Sequence, residues 1–178
     1  MSLQLPVSEK DHSQGDLHSP LVIVHYGDFE CPYSAAAAAL MVGVQRQLGE
    51  KLLYVFRPFP LSDIHPHALQ AAEAGQAAAA QGQFWSMYAL LFEHQDRLKH
   101  SDLLRYAAQM GLDVERFEKE LKEHTHREAI GHSIEGGRQS GAHGTPTFFI
   151  NGEFFDNRRG LWQAETMVEA IESVWSSD

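Results

Sequence analysis

The chain has 178 residues with 14 lysines and arginines against 24 aspartates and glutamates, a formal charge of -10. That balance disfavours a nucleic-acid or anionic-membrane surface, and no apolar stretch is long enough to read as a membrane helix. Length and composition suit one domain, or one domain with a large insertion, able to bury a core without disulfides. A single cysteine, Cys31, rules out an internal disulfide.

The opening "MSLQLPVSEKDHSQGDLHSP" has no basic start followed by an apolar run, so it reads as an irregular lead-in rather than a signal peptide. The expectation is therefore a cytoplasmic protein whose thiol stays reduced. "LVIVHY" (21–26) is a continuous β-branched run, as in a strand buried on both faces. A helix is predicted from near Cys31, with Pro32 in its first turn, to a stop at Gly49. "LLYVFR" (52–57) is the next strand, which makes a β-α-β unit.

From about Pro66 to Ser140 the pattern turns helical. "HALQAAEAGQAAAA" is a strong helix former broken near Gly82, and "FWSMYALLF" supplies a bulky apolar patch. Ser101 or Asp102 is the expected cap of a helix ending at Gly111. Asp113 caps another, with Val114, Phe117 and Leu121 on one face. Gly131, Gly136 and Gly137 weaken the helical reading of 125–139. Strands return at "TFFI" (147–150) and "EFF", with Asn151-Gly152 between them as a hairpin signal. Met167, Ile171 and Val174 mark a last helix.

Chemistry concentrates in "DFECPYSAAAAAL" (28–40). Cys31 follows a strand and opens a helix, where unpaired N–H groups and the helix dipole favour a thiolate. Asp28 and Glu30 oppose that charge if they face the sulfur. The plain alternative is a buried core cysteine. Far along the chain, Thr145-Pro146 stands at the mouth of the "TFFI" strand, a place where an X–Pro bond can be cis. Two histidine pairs, His65/His67 and His124/His126, lack the number and spacing of ligands a metal site needs, so no metal is expected.

"FECPYS" and "GTPTFFING", separated by a long helical stretch, together resemble the DsbA-like branch of the thioredoxin superfamily, from about Leu21 to Trp175. The resemblance implies an α/β thioredoxin-like fold, β-α-β … β-β-α. Residues 1–62 and 141–178 would form the thioredoxin-like domain and 63–140 an inserted helical domain. It implies that Cys31 is the nucleophile and Pro146 a cis-proline, with the Thr145 backbone, Pro32 and Tyr33 meeting a peptide substrate. Two positions depart from the pattern. Ser34 stands where a second cysteine is usual, and His25 where many relatives carry a buried acid.

Thiol–disulfide exchange needs one thiolate to attack and a second to resolve. Ser34 cannot resolve, though its hydroxyl can donate a hydrogen bond to the Cys31 thiolate. It fits either a replaced cysteine or a naturally single-thiol protein. The leading expectation is a single-cysteine thiol–disulfide oxidoreductase that acts on protein or glutathione disulfides. It would hold no bound cofactor, with glutathione entering as co-substrate. Two other readings stay open: a glutathione-linked transferase or isomerase on the same fold, and a non-catalytic peptide-binding module. Substrate, redox direction and oligomeric state are not legible.

Overall fold

In the computed structural model the described residues are 1–156 and 163–175. Residues 157–162 and 176–178, part of the expected 141–178 segment, lie outside them, as does the side chain of Val174. The chain divides into two compact units. The first comprises Met1–Gly27, Ala36–Arg57 and Gly136–Asp178; the second comprises Asp28–Ala35 and Pro58–Glu135.

The first unit is built on a five-stranded sheet. Its strands are β1 (His12–Gln14), β2 (Leu21–Gly27), β3 (Leu52–Pro58), β4 (Thr147–Ile150) and β5 (Glu153–Phe155), in the order β1-β3-β2-β4-β5. The β-branched run in β2 and the apolar run in β3 form central strands, and nearly every residue in both is buried. β4 pairs antiparallel with β2, placing His25 opposite Phe148 and Tyr26 opposite Thr147. Asn151 and Gly152 both take positive φ, 47° and 87°, and close the β4–β5 hairpin between Ile150 and Glu153. That is the conformation a two-residue hairpin turn needs and that Asn-Gly accepts at least strain.

The lead-in is not irregular throughout. His12–Gln14 forms the edge strand β1, antiparallel to β3. Three polar residues carry little strand preference of their own; the pairing with Tyr54–Phe56 supplies it. Arg57 fixes the segment before β1. Its guanidinium is 3% exposed and meets Asp11 Oδ1 at 2.7 Å and Oδ2 at 3.0 Å. It also donates to the Leu5 and Pro6 carbonyls and to Tyr26 Oη. Burial works against the Arg57 charge, but the Asp11 bonds and Tyr26 outweigh it and hold its pKa above the ordinary value.

The second unit is helical. It contains α2 (Ala68–Ala79), α3 (Phe84–Glu93), α4 (His100–Gln109) and α5 (Val114–Lys122). The alanine-rich α2 buries Ala68, Ala71, Ala72, Ala74, Ala77 and Ala78, so small side chains line its packed face. Phe84, Met87, Leu91, Leu103, Phe117 and Leu121 supply the bulk. Asp113 caps α5 by accepting the Arg116 N–H at 3.0 Å. The α4 start differs from expectation. Lys99 is the capping position, and Asp102, inside the first turn, reaches back to accept the Lys99 N–H at 3.2 Å. Two helices run through the unit boundaries: α1 (Pro32–Leu48) and α6 (Arg127–Gln139). The glycines expected to weaken α6 do not stop it. At Gly136 a Cβ would come within 2.9 Å of Leu5 Cδ2, so the residue leaves room for the N-terminal segment. The last helix, α7 (Ala164–Trp175), buries Met167 and Ile171.

Candidate functional site

Cys31 is the residue immediately before α1, in the capping position. Its N–H donates to the Asp28 carbonyl at 3.1 Å, and its carbonyl accepts the Ala35 N–H at 3.1 Å, the first turn of the helix. The first N–H groups of a helix have no carbonyl a turn earlier, and a side chain at this position is the natural acceptor for them. Cys31 is 4% exposed, whereas Tyr33, two residues on, is 66% exposed.

Three sets of contacts hold this turn within the second unit. Phe29 is buried, packing on Phe92 at a ring separation of 4.9 Å and edge-on to Tyr88 at 6.0 Å. Gln95, on the link between α3 and α4, donates its amide to the carbonyls of Phe29 at 2.8 Å and Cys31 at 2.9 Å. The Asp28 carboxylate, fully buried, accepts the Glu30 N–H at 2.8 Å on Oδ1. On Oδ2 it accepts the Leu61 N–H at 2.9 Å and faces His65 Nδ1 at 2.7 Å. Glu30 completes the clasp. Its carboxylate accepts the His67 N–H at 2.6 Å and faces His67 Nδ1 at 2.8 Å.

Ser34 is buried, and its Oγ accepts the Asp28 N–H at 3.1 Å. The hydroxyl thus serves as a post for the turn and still has its own proton to donate. Pro32 and Tyr33 lie on the exposed side of the same turn. Of the seven residues singled out from the sequence, Cys31, Pro32, Tyr33 and Ser34 are brought together here. His25, Thr145 and Pro146 belong to the other unit.

In that unit the Thr145–Pro146 peptide bond is cis, at the entry to β4. His25 is fully buried on β2, with its ring stacked on Phe148 at 4.5 Å and edge-on to Phe56 at 5.2 Å. Its Nδ1 lies 2.8 Å from Tyr54 Oη, while Nε2 makes no hydrogen bond among the described residues. Burial pushes its pKa down from 6.5 to about 3, so the ring is neutral at ordinary pH. Gly27 is required beside it, because a Cβ there would fall 2.5 Å from Phe56 Cε2 and 3.0 Å from His25 Nε2.

The pairings of Asp28 with His65, Glu30 with His67, and the Gln95 clip were not visible in the sequence. The nearest signal was the "HPH" motif, which spacing alone could only test as a metal pair. Among the described residues no group of three or more His, Cys, Asp or Glu is placed to hold a metal ion. No helix among them is long and apolar enough to cross a membrane.

This arrangement, a cysteine opening the helix after a sheet strand and a cis-proline before a returning strand, defines a thioredoxin-like protein. The thioredoxin family model matches residues 7–173, and the chain belongs to that family. Its fold is that of the DsbA-like thiol–disulfide oxidoreductases. BdbD from Bacillus subtilis (oxidised) superposes with a TM-score of 0.79, at 18% identity, over 93% of each chain. The alpha-DsbA1 of Wolbachia pipientis superposes with a TM-score of 0.77, at 20% identity, over 98% of this chain and 95% of its own. In sequence the chain is 40% identical, over 97% of its length, to the Na(+)/H(+) antiporter NhaA 1 of Mycobacterium sp. (strain KMS). It spans 28% of that relative's length.

Proposed function

We propose that this chain is a single-cysteine thiol–disulfide exchange protein acting through Cys31. The observation that carries the reading is the position of Cys31 at the α1 start, on a turn held by Asp28, Glu30, Ser34 and Gln95. In the reaction the Cys31 thiolate attacks one sulfur of a protein or glutathione disulfide. A new Sγ–S bond forms, the substrate S–S bond breaks, and the departing thiolate takes a proton from solvent. With Ser34 in the second position, the mixed disulfide waits for an external thiolate, such as glutathione. That thiolate attacks, and Cys31 leaves as the thiolate.

A reducing compartment such as the cytoplasm supplies that thiol and suits this cycle. Pro32 and Tyr33 would border the substrate on the Cys31 side, and the Thr145 backbone beside Pro146 would offer hydrogen bonds to an extended peptide. His25 is neutral and a weak base, so its contribution would be a ring without charge in place of an acid. The antiporter activity in the relatives' name belongs to chains of which this one spans 28%. The glutathione-transferase reading has less support, because Ser34 is fully buried.

The test is intact mass after exposure to oxidised glutathione, with and without a following dithiol. The chain should retain one glutathione adduct that reduced glutathione removes. Ser34→Cys should lose the adduct unaided and gain an internal disulfide, and Cys31→Ala should take up nothing. A native chain that forms no adduct would sink the proposal.

A further inference from the structure

α6 ends in a turn that sends the chain toward β4. Gly141 takes a positive φ of 94°, and the Ala142 N–H returns to the Gly137 carbonyl at 2.9 Å. A left-handed glycine closing a helix sets the direction of the residues that follow. Here these are 143–146, which include Thr145 and lead into Thr147, the first residue of β4. The N-terminal residues lie against this turn. The Gln4 N–H donates to Ser140 Oγ at 2.9 Å, and Ser140, itself buried, donates its hydroxyl to the Gly136 carbonyl at 2.6 Å. A Cβ at Gly141 would fall 2.5 Å from Met1 Sδ, so the Met1 side chain covers that glycine. The same segment also holds the β4–β5 hairpin. The Leu3 N–H donates to the Gly152 carbonyl at 2.7 Å, and the Phe154 N–H to the Met1 carbonyl at 2.9 Å. Arg57 anchors its far end through the Leu5 and Pro6 carbonyls.

Residues 1–5 thus tie the end of α6 to the hairpin, and the stretch 142–151 between those two points is held at both ends. We propose that this N-terminal segment is a strap that positions residues 142–146, and with them the Thr145 backbone. The inference rests on the reading that Thr145 offers hydrogen bonds to an extended peptide. A loop that must be ordered when its substrate arrives loses binding energy to conformational entropy, whereas one already held in place loses less. Leu3 and Ser140 are therefore positioning residues. They act on how the substrate backbone is gripped and not on the reacting sulfur.

Two substitutions in the full chain cut the strap at separate points. Ser140→Ala removes the acceptor at the end of α6, and Leu3→Pro removes the donor to the hairpin. Each variant, and the two combined, are compared with the native chain in three measurements. Amide hydrogen exchange, followed by mass, should quicken in 142–147 by about three- to tenfold, the size of one lost hydrogen bond, and stay unchanged in α2. Mixed-disulfide formation with the disulfide of a short, uncharged, single-cysteine peptide should slow by a similar factor. Alkylation of Cys31 by iodoacetamide, which needs no backbone contact, should keep its native rate. Unchanged exchange in 142–147 overturns the proposal. In a chain that reacts with the peptide, so does a peptide rate that stays native, or one that falls in step with alkylation. A native chain that forms no mixed disulfide sinks the proposed function instead, and the exchange measurement then decides by itself whether the strap orders the loop.

Discussion

His25 and Asp28 are three residues apart, and both are fully buried, yet the protein treats them in opposite ways. His25 sits among aromatic rings, with one nitrogen near a tyrosine hydroxyl and the other without a hydrogen bond among the described residues. Asp28 receives two backbone N–H groups and an imidazole. A buried polar group must find partners or give up its charge. Asp28 takes the first course and organises the turn that carries Cys31. His25 takes the second and is held neutral, part of the apolar packing of the sheet.

Removing Asp28 should show the larger effect. Asp28→Ala strands two N–H groups and a ring that it now satisfies. It should cost about 3–5 kcal/mol in urea unfolding, the range for breaking a buried charged network. A loss below about 1 kcal/mol would mean that water replaces the carboxylate without penalty and the contrast with His25 fails.

The His25 side of the comparison is read by pH. Its native pKa of about 3 lies below the ordinary 6.5, so between these values the unfolded chain binds a proton that the native chain does not. Stability should be complete above pH 6.5 and fall as pH drops toward 3, by about 1.4 kcal/mol per unit from this group. His25→Gln, neutral throughout, should remove that slope. Parallel stability curves for the two proteins between pH 6.5 and 4.5 would show that the ring is not held neutral.

The smallest effect is expected at the edge of the Asp28 network. Gln95→Leu should cost about 1–2 kcal/mol, since two carbonyl acceptors lose one shared donor. It should also slow glutathione uptake by Cys31 without altering the far-ultraviolet spectrum. Unchanged uptake would confine the turn's stiffness to Asp28 and Glu30.

The parts of this picture that could be read from the sequence were those with local causes. β2, β4 and the Asn151-Gly152 hairpin follow from β-branched and apolar runs and a turn pair that accepts positive φ. The Asp113 cap and the helix after Cys31 follow from short-range preferences. The rest depends on distance along the chain. Asp28 meets His65, and Glu30 meets His67, across 37 residues; Gln95 reaches Cys31 across 64. No periodicity encodes such pairings. β1 was missed for the same reason, because its strand form comes from β3 rather than from His12–Gln14. Chain order also separated the Cys31 turn from the helices, whereas its packing groups Asp28–Ala35 with them.

The sheet ends on its two shortest strands, β1 and β5, each of three residues. Along β5 the N-terminal residues add a further cover. Ser2 bridges Glu153, the Leu3 N–H reaches the Gly152 carbonyl at 2.7 Å, and Phe154 donates to the Met1 carbonyl at 2.9 Å. Long bare edges invite neighbouring molecules to extend the sheet into aggregates. Here one margin is short and polar, and the other is occupied by the molecule's own backbone. Neither margin therefore offers a neighbouring strand a long run of unpaired backbone groups.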